Sequence, residues 1–157
     1  MTKFKFPLMS NNISNNDINQ VKKFIKNYGN KNIILTSNKN VKLFEKKWSK
    51  WLGCKYSVFV NSGSSSNFMS IAYLKTKFTK GEIIVPTLTW PSDVMAIINN
   101  GFKPVFVDIN LNNLSANEDQ ILKSINKNTI ALFLTHAQGF SGLTDTILKH
   151  VKKRKSF

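Results

Sequence analysis

The chain has 157 residues and a formal net charge of +15. That length suits one domain, or part of a larger one. No run of about eighteen apolar residues occurs, which speaks against a transmembrane helix, and Cys54, the only cysteine, leaves no internal disulfide and no cysteine-based metal site. Residues 1–10 carry Lys3 and Lys5 but lack the apolar core of a secretory signal. A reducing cytoplasm, with no membrane partner, fits this composition best. The positive charge is nearly all lysine, with Arg154 the single arginine. Nucleic-acid sites lean on arginine forks and stacked aromatics, so the composition argues against nucleic acid as a partner. With asparagine and isoleucine also abundant, the lysine excess reads as compositional bias.

In chain order, residues 1–16 are polar and asparagine-rich, an arm rather than a packed element. Asp17 is placed to cap a helix reaching Asn27, with Ile18, Val21, Phe24 and Ile25 at helical spacing and Gly29 as its stop. Residues 33–36 form a short connector. A second helix over 39–52 sets Val41, Phe44, Trp48 and Leu52 on one face and Lys42, Glu45, Lys46, Lys47 and Lys50 on the other, and Gly53 ends it. Residues 56–60 are aromatic and β-branched and read as a strand. A helix over 65–75 follows, with Phe68, Ile71, Ala72 and Leu74 inward. The pattern then gives a buried strand over 82–85, a loop over 87–91, and a helix over 93–99 capped by Ser92. Next come a strand over 104–107, a helix over 118–125, a strand over 129–135, a loop over 136–141 and a last helix over 143–153. Strands alternating with helices after residue 55 predict an α/β architecture with a mostly parallel sheet. Ligands in such sheets sit at the carboxyl ends of the strands. Three polar stations fall there: 61–67, 87–91 and 135–139.

The most suggestive of them is Asn61-Ser62-Gly63-Ser64-Ser65-Ser66-Asn67. Gly63 lets the backbone turn sharply and approach a ligand without a Cβ in the way. Ser64, Ser65 and Ser66 bring hydroxyls and N–H donors to a helix start, whose partial positive charge suits a phosphate. An ordinary N-cap serine cluster has the same residues, and from this stretch alone both readings stand.

Four blocks in order resemble the DegT/DnrJ/StrS family of sugar aminotransferases. Leu35-Thr36 with Val41, Phe44 and Glu45 resembles the family's "T-x-G-x-x-V-x-x-F-E" segment. Residues 60–67 resemble its "N-S-G-T-x-A" phosphate turn, and "GEIIVPTLTW" at 81–90 resembles "GDEVIVPSFTF". "GFKPVFVD" at 101–108 resembles "GAKPVFVD", and residues 135–139 fall where "V-H-x-x-G" is expected. The match covers about residues 30–155. It implies the large domain of the aspartate-aminotransferase-type, fold type I architecture. Residues 1–30 would be an N-terminal arm and helix, and 31–157 the N-terminal portion of the pyridoxal 5′-phosphate (PLP) domain. By resemblance Gly63, Ser64 and Ser65 hold the cofactor phosphate. Trp90 lies against its pyridine ring, with a core tryptophan as the alternative. Asp108 is structural, and His136 orders its loop. Asn38 stands where the family has glycine, and Ser64 where it has threonine. "S-G-S-S-x-N" with "T-W-P" is closer to the branch holding the nucleotide-sugar 3-dehydrases.

The family function so implied is amino transfer, usually from glutamate, to a nucleotide-linked keto sugar for surface-polysaccharide synthesis. The full-length enzyme would be a homodimer. The alternatives are a dehydrase using the same cofactor and a non-catalytic basic binding module. The family's aspartate against the pyridine nitrogen and its Schiff-base lysine have no counterpart before Phe157. The expectation is therefore an N-terminal portion of such an enzyme, with no catalytic residue of its own and no transamination in isolation. The strand over 56–60 would lack its neighbour, and apolar helix faces would be incompletely covered.

Overall fold

The computed structural model describes residues 12–28 and 36–153. The proposed stop at Gly29, most of the 33–36 connector and Arg154 lie outside them. The chain divides into two compact units between Phe59 and Val60.

The first unit holds two helices, α1 (Asn15–Tyr28) and α2 (Lys39–Leu52). α1 begins before Asp17. The Ser14 amide and hydroxyl both donate to the Asp17 carboxylate, while the Asp17 amide donates back to the Ser14 hydroxyl. Ser14 is thus the cap and Asp17 its reciprocal partner, and these bonds hold the Asp17 carboxyl below its ordinary pKa. Asn38 caps α2, accepting from the amides of Asn40 and Val41, and Gly53 closes it at φ 75°. The residue that departs from the family glycine is therefore a good cap for this helix. No residue of α1 is buried, and only Ser49 of α2 is. Phe44, Trp48 and Leu52, which share the apolar face, remain about half exposed. Two of them contact other aromatics: Phe44 stacks on Trp48 at 6.0 Å and meets Phe59 edge-on at 5.5 Å.

Residues 56–60 are not a strand. Among the described residues no neighbouring strand supplies a ladder, and the Phe59 amide donates instead to the Glu45 carboxylate at 2.9 Å. Pairing, which local propensity cannot provide, makes a strand.

The second unit carries the α/β core expected from the alternating pattern. It runs α3 (Gly63–Lys75), β1 (Glu82–Pro86), α4 (Pro91–Asn99), β2 (Lys103–Val107), α5 (Glu118–Ser124), β3 (Thr129–Leu132), a 3-10 turn at Ala137–Gly139, and α6 (Asp145–Lys153). The strands form a parallel sheet in the order β2-β1-β3. Side chains alternate across a strand, so central β1 feeds two cores. Ile83 and Val85 join Ile71, Ala96, Ile97, Phe102 and Ile130 on one face. Ile84 joins Val107, Ala116, Ile121 and Ile147 on the other. Each such buried isoleucine contributes about 1.5–3 kcal/mol of apolar transfer.

Two boundaries differ for clear reasons. Pro91, not Asp93, begins α4, because proline suits the first helical position, where its missing N–H costs nothing. Trp90 rather than Ser92 occupies the cap position, without a side-chain bond. β3 stops at Leu132, although the Phe133 amide still donates to the Ile84 carbonyl at 2.8 Å. Among the described residues no helix is long and apolar enough to cross a membrane, and no cluster of potential metal ligands occurs.

Candidate functional site

Because the three strands are parallel, their carboxyl ends share one edge of the sheet. Residues 87–90 follow β1, Asp108 follows β2, and residues 133–135 follow β3. The Thr87 amide donates to the Val107 carbonyl at 2.9 Å, which ties the first two exits together.

At the start of α3, Ser62 takes an extended backbone and its hydroxyl accepts from the Ser65 amide at 3.1 Å. The Ser65 hydroxyl donates to the Asn61 side-chain oxygen at 2.7 Å, and the Ser66 amide donates to the Ser62 carbonyl at 3.1 Å. These bonds fix the turn and leave part of it unspent. The amides of Gly63 and Ser64 and the Ser64 hydroxyl have no partner among the described residues. A Cβ added at Gly63 would meet no atom within 4 Å, and the backbone there does not need a left-handed φ. Gly63 is already the first residue of α3, entered from the extended cap Ser62. What glycine contributes is open space. Two free N–H groups and a hydroxyl at the positive end of a helix are suited to an anion. Val60, Asn61, Ser64, Ser65, Phe68 and Met69 line an open hollow beside them.

Trp90 is 73% exposed. That removes the core alternative and leaves an indole face at the strand edge with no protein stacking partner among the described residues.

What gathers these stations is a residue that pattern reading treated only as a helix start. Asp93 is 4% exposed. One carboxylate oxygen accepts from the Asn67 side-chain amide at 2.5 Å and from the Ser92 hydroxyl at 3.4 Å. The other accepts from the hydroxyls of Thr89 and, at 3.1 Å, Thr135. The Asp93 amide donates to the Trp90 carbonyl at 2.9 Å. Its signal in the sequence was faint: an acid in a first helical turn commonly serves only the helix dipole.

The remaining candidates are peripheral. Asp108 is exposed, accepts from the Ile109 amide at 2.8 Å, and its own amide donates to the Gln120 side chain at 2.7 Å, a structural role. The His136 carbonyl accepts from the Gly139 amide at 3.0 Å in the 3-10 turn. Glu82 lies at the opposite, amino end of β1. Hydrogen bonds from Asn126 and then Lys103 hold its carboxyl below the ordinary value.

The sequence matches the DegT/DnrJ/EryC1/StrS aminotransferase family over residues 12–155. The chain belongs to that family. It is 31% identical to a GDP-4-keto-6-deoxy-D-mannose 3-dehydratase of Yersinia pseudotuberculosis over 97% of this chain and 39% of that protein. It is 29% identical to a GDP-perosamine synthase of Vibrio cholerae over 68% of this chain and 29% of that one. Among solved structures, an E. coli GDP-4-keto-6-deoxy-D-mannose-3-dehydratase with bound hydrated PLP superposes with a TM-score of 0.70 at 28% identity, covering 82% of this chain and 33% of that chain. The chain thus spans well under half the length of the relatives it matches. The family is PLP-dependent, and the α/β fold expected from the sequence is the fold of its sugar-modifying members. The donors at Gly63 and Ser64, the space over Gly63 and the bare Trp90 ring fit the phosphate and ring of such a cofactor.

Proposed function

We propose that this chain provides the phosphate seat and ring platform for PLP in an enzyme acting on a nucleotide-linked keto sugar. The observation that carries the reading is the pair of unpartnered amides, Gly63 and Ser64, at the start of α3, together with the open space that a Cβ on Gly63 would fill. In this reading those amides and the Ser64 hydroxyl bind the phosphate, and Ser65 and Asn61 hold the turn in shape. The Trp90 indole stacks on the cofactor ring and shields it from water on one side. When bound, the cofactor supplies an electron sink for bond changes beside a carbonyl or amine carbon. The chain's own part is binding and orientation.

For the reaction class, C3 dehydration of the keto sugar takes first place. It rests on similarity to the Yersinia 3-dehydratase along almost the whole chain and on the "T-W-P" loop. Amino transfer from a donor such as glutamate is the second reading, favoured by similarity to the Vibrio perosamine synthase. A cytoplasmic homodimer serving surface-polysaccharide synthesis goes with either.

Pyridoxamine phosphate tests the seat cleanly, because it forms no imine with the many lysines. Titrated into the 15N-labelled chain, it is expected to shift the Gly63 and Ser64 amide resonances saturably. Pyridoxamine without the phosphate is expected to shift them far less. Equal shifts from both compounds, or none from either, would sink the proposal.

A further inference from the structure

We infer that Asp93 is a positioning residue that sets the spacing between the Ser62–Ser65 turn and Trp90. The inference rests on the cofactor reading for its purpose, but its geometry stands alone. The three polar stations come from different parts of the chain, two of them from the carboxyl ends of β1 and β3 and one from the start of α3, and each reaches this one carboxylate. Asn67 comes from α3, one helical turn beyond Ser64. Thr89 precedes Trp90, and Thr135 follows β3. The Thr89 and Thr135 hydroxyls also lie 2.5 Å from each other, so their two protons are shared among the three contacts of this oxygen trio. The Asp93 amide holds the Trp90 carbonyl, so side chain and backbone of one residue grip both sides of the proposed seat.

A carboxylate is suited to this task. It accepts several hydrogen bonds at once, and bonds to a charged acceptor are stronger than neutral ones. Burial removes competing water and raises the cost of leaving any donor unpaired. An acid present merely to favour the dipole of α4 would have no need of Asn67 or Thr135. The order of the arrangement is then clear. Asp93 fixes Asn67, and Asn67 fixes the rotation of α3 about its axis, which aims the Gly63 and Ser64 amides. Through Thr89 and the Trp90 carbonyl it fixes where the indole stands. Asp93 itself touches neither phosphate nor ring.

The test uses the whole chain without ligand and with pyridoxamine phosphate. Asp93→Asn keeps the shape and some acceptor capacity, Asn67→Ala cuts the link to α3 alone, and Asp93→Ala removes the whole hub. In the ligand-free protein, Asp93→Asn is expected to speed amide hydrogen exchange at residues 65–67 and at the residue 93 amide, whose bonds hold the turn and the Trp90 carbonyl, while Ile83, Ile84 and Val85 in β1 stay protected. Asn67→Ala is expected to speed it only at residues 65–67. With ligand, each variant is expected to weaken pyridoxamine phosphate binding about tenfold, the scale of one lost hydrogen bond to a charged group. Exchange that rises throughout the second unit would mean a purely structural acid and would overturn the inference. So would exchange that rises only in α4, or not at all. If Asp93→Ala does not fold, the other two variants decide. Absence of pyridoxamine phosphate binding by the unaltered chain, with the exchange pattern as expected, would refute the cofactor reading and leave the spacing role standing.

Discussion

The two units use apolar residues in opposite ways. In the second, every strand residue of β1 from Ile83 to Pro86 is buried, and two helical layers cover the sheet. In the first, two amphipathic helices carry Phe24, Phe44, Trp48, Trp51 and Leu52 with between a third and three quarters of each exposed. Both show the helical period that pattern reading relies on. The period reports that a helix has an apolar face and says nothing about whether that face is covered. Large exposed apolar patches on a folded protein usually mark surfaces that meet something else.

The sharpest way to break this comparison is truncation on each side of it. Ile97→Ala in the second unit is expected to lower unfolding stability by about 2–5 kcal/mol, since it opens a cavity in a closed core. Trp51→Ala, despite removing a larger side chain, is expected to change it by about 0.5 kcal/mol or less, because Trp51 is 74% exposed. Urea unfolding of both variants checks the pair, and a larger loss for Trp51→Ala would show that the first unit hides a core.

Glycine separates packing from binding within the second unit. At Gly81 an added Cβ would lie 2.6 Å from the Ile130 side chain, so Gly81→Ala is expected to destabilise by about 1–3 kcal/mol. At Gly63 nothing stands in the way, and Gly63→Ala is expected to gain about 0.5 kcal/mol by stiffening the unfolded chain. It should nonetheless weaken pyridoxamine phosphate binding, since the methyl group occupies the open space. Thermal melts and the ligand titration together read this out. A Gly63→Ala protein that binds as before would mean the space is not used.

The smallest expected effect is at the amino end of the sheet. The folded-state pKa of Glu82 lies below its ordinary value of 4.5, from the Asn126 and then the Lys103 hydrogen bonds. The unfolded state therefore binds more protons in that range. The stabilisation is fully present above pH 4.5 and is lost as pH falls through the lowered folded value. Glu82→Gln removes this dependence. The stability gap between the two proteins is expected to narrow on acidification below 4.5, as measured by urea unfolding across pH. A gap that widens there would reverse the sign of the argument.

Much of the second unit was legible in the sequence. β1 and β2 fall within a residue of their expected bounds, because unbroken runs such as Ile83-Ile84-Val85 have few other uses. The serine turn at the start of α3 was legible for a similar reason: capping chemistry is local. Residues 56–60 misled because their composition suits a strand, and among the described residues no partner strand lies beside them. Asp93 was illegible for the opposite reason. Its decisive donors, Asn67 and Thr135, lie 26 and 42 positions away, and no local pattern joins them.

The unpaired stretch before the second unit has a consequence for how the protein behaves in bulk. Tyr56, Val58 and Phe59 are all more than half exposed in a segment outside any helix or strand, and such aromatic and β-branched residues are the material from which intermolecular β-pairing is made. A net charge of +15 opposes that contact between copies. The repulsion reaches only as far as ions allow, about 10 Å at 0.1 M salt and about 3 Å at 1 M. The colloidal stability of this chain is therefore set by ionic strength, and polyvalent anions, which both screen the lysines and can bridge them, are the agents that would bring these segments together.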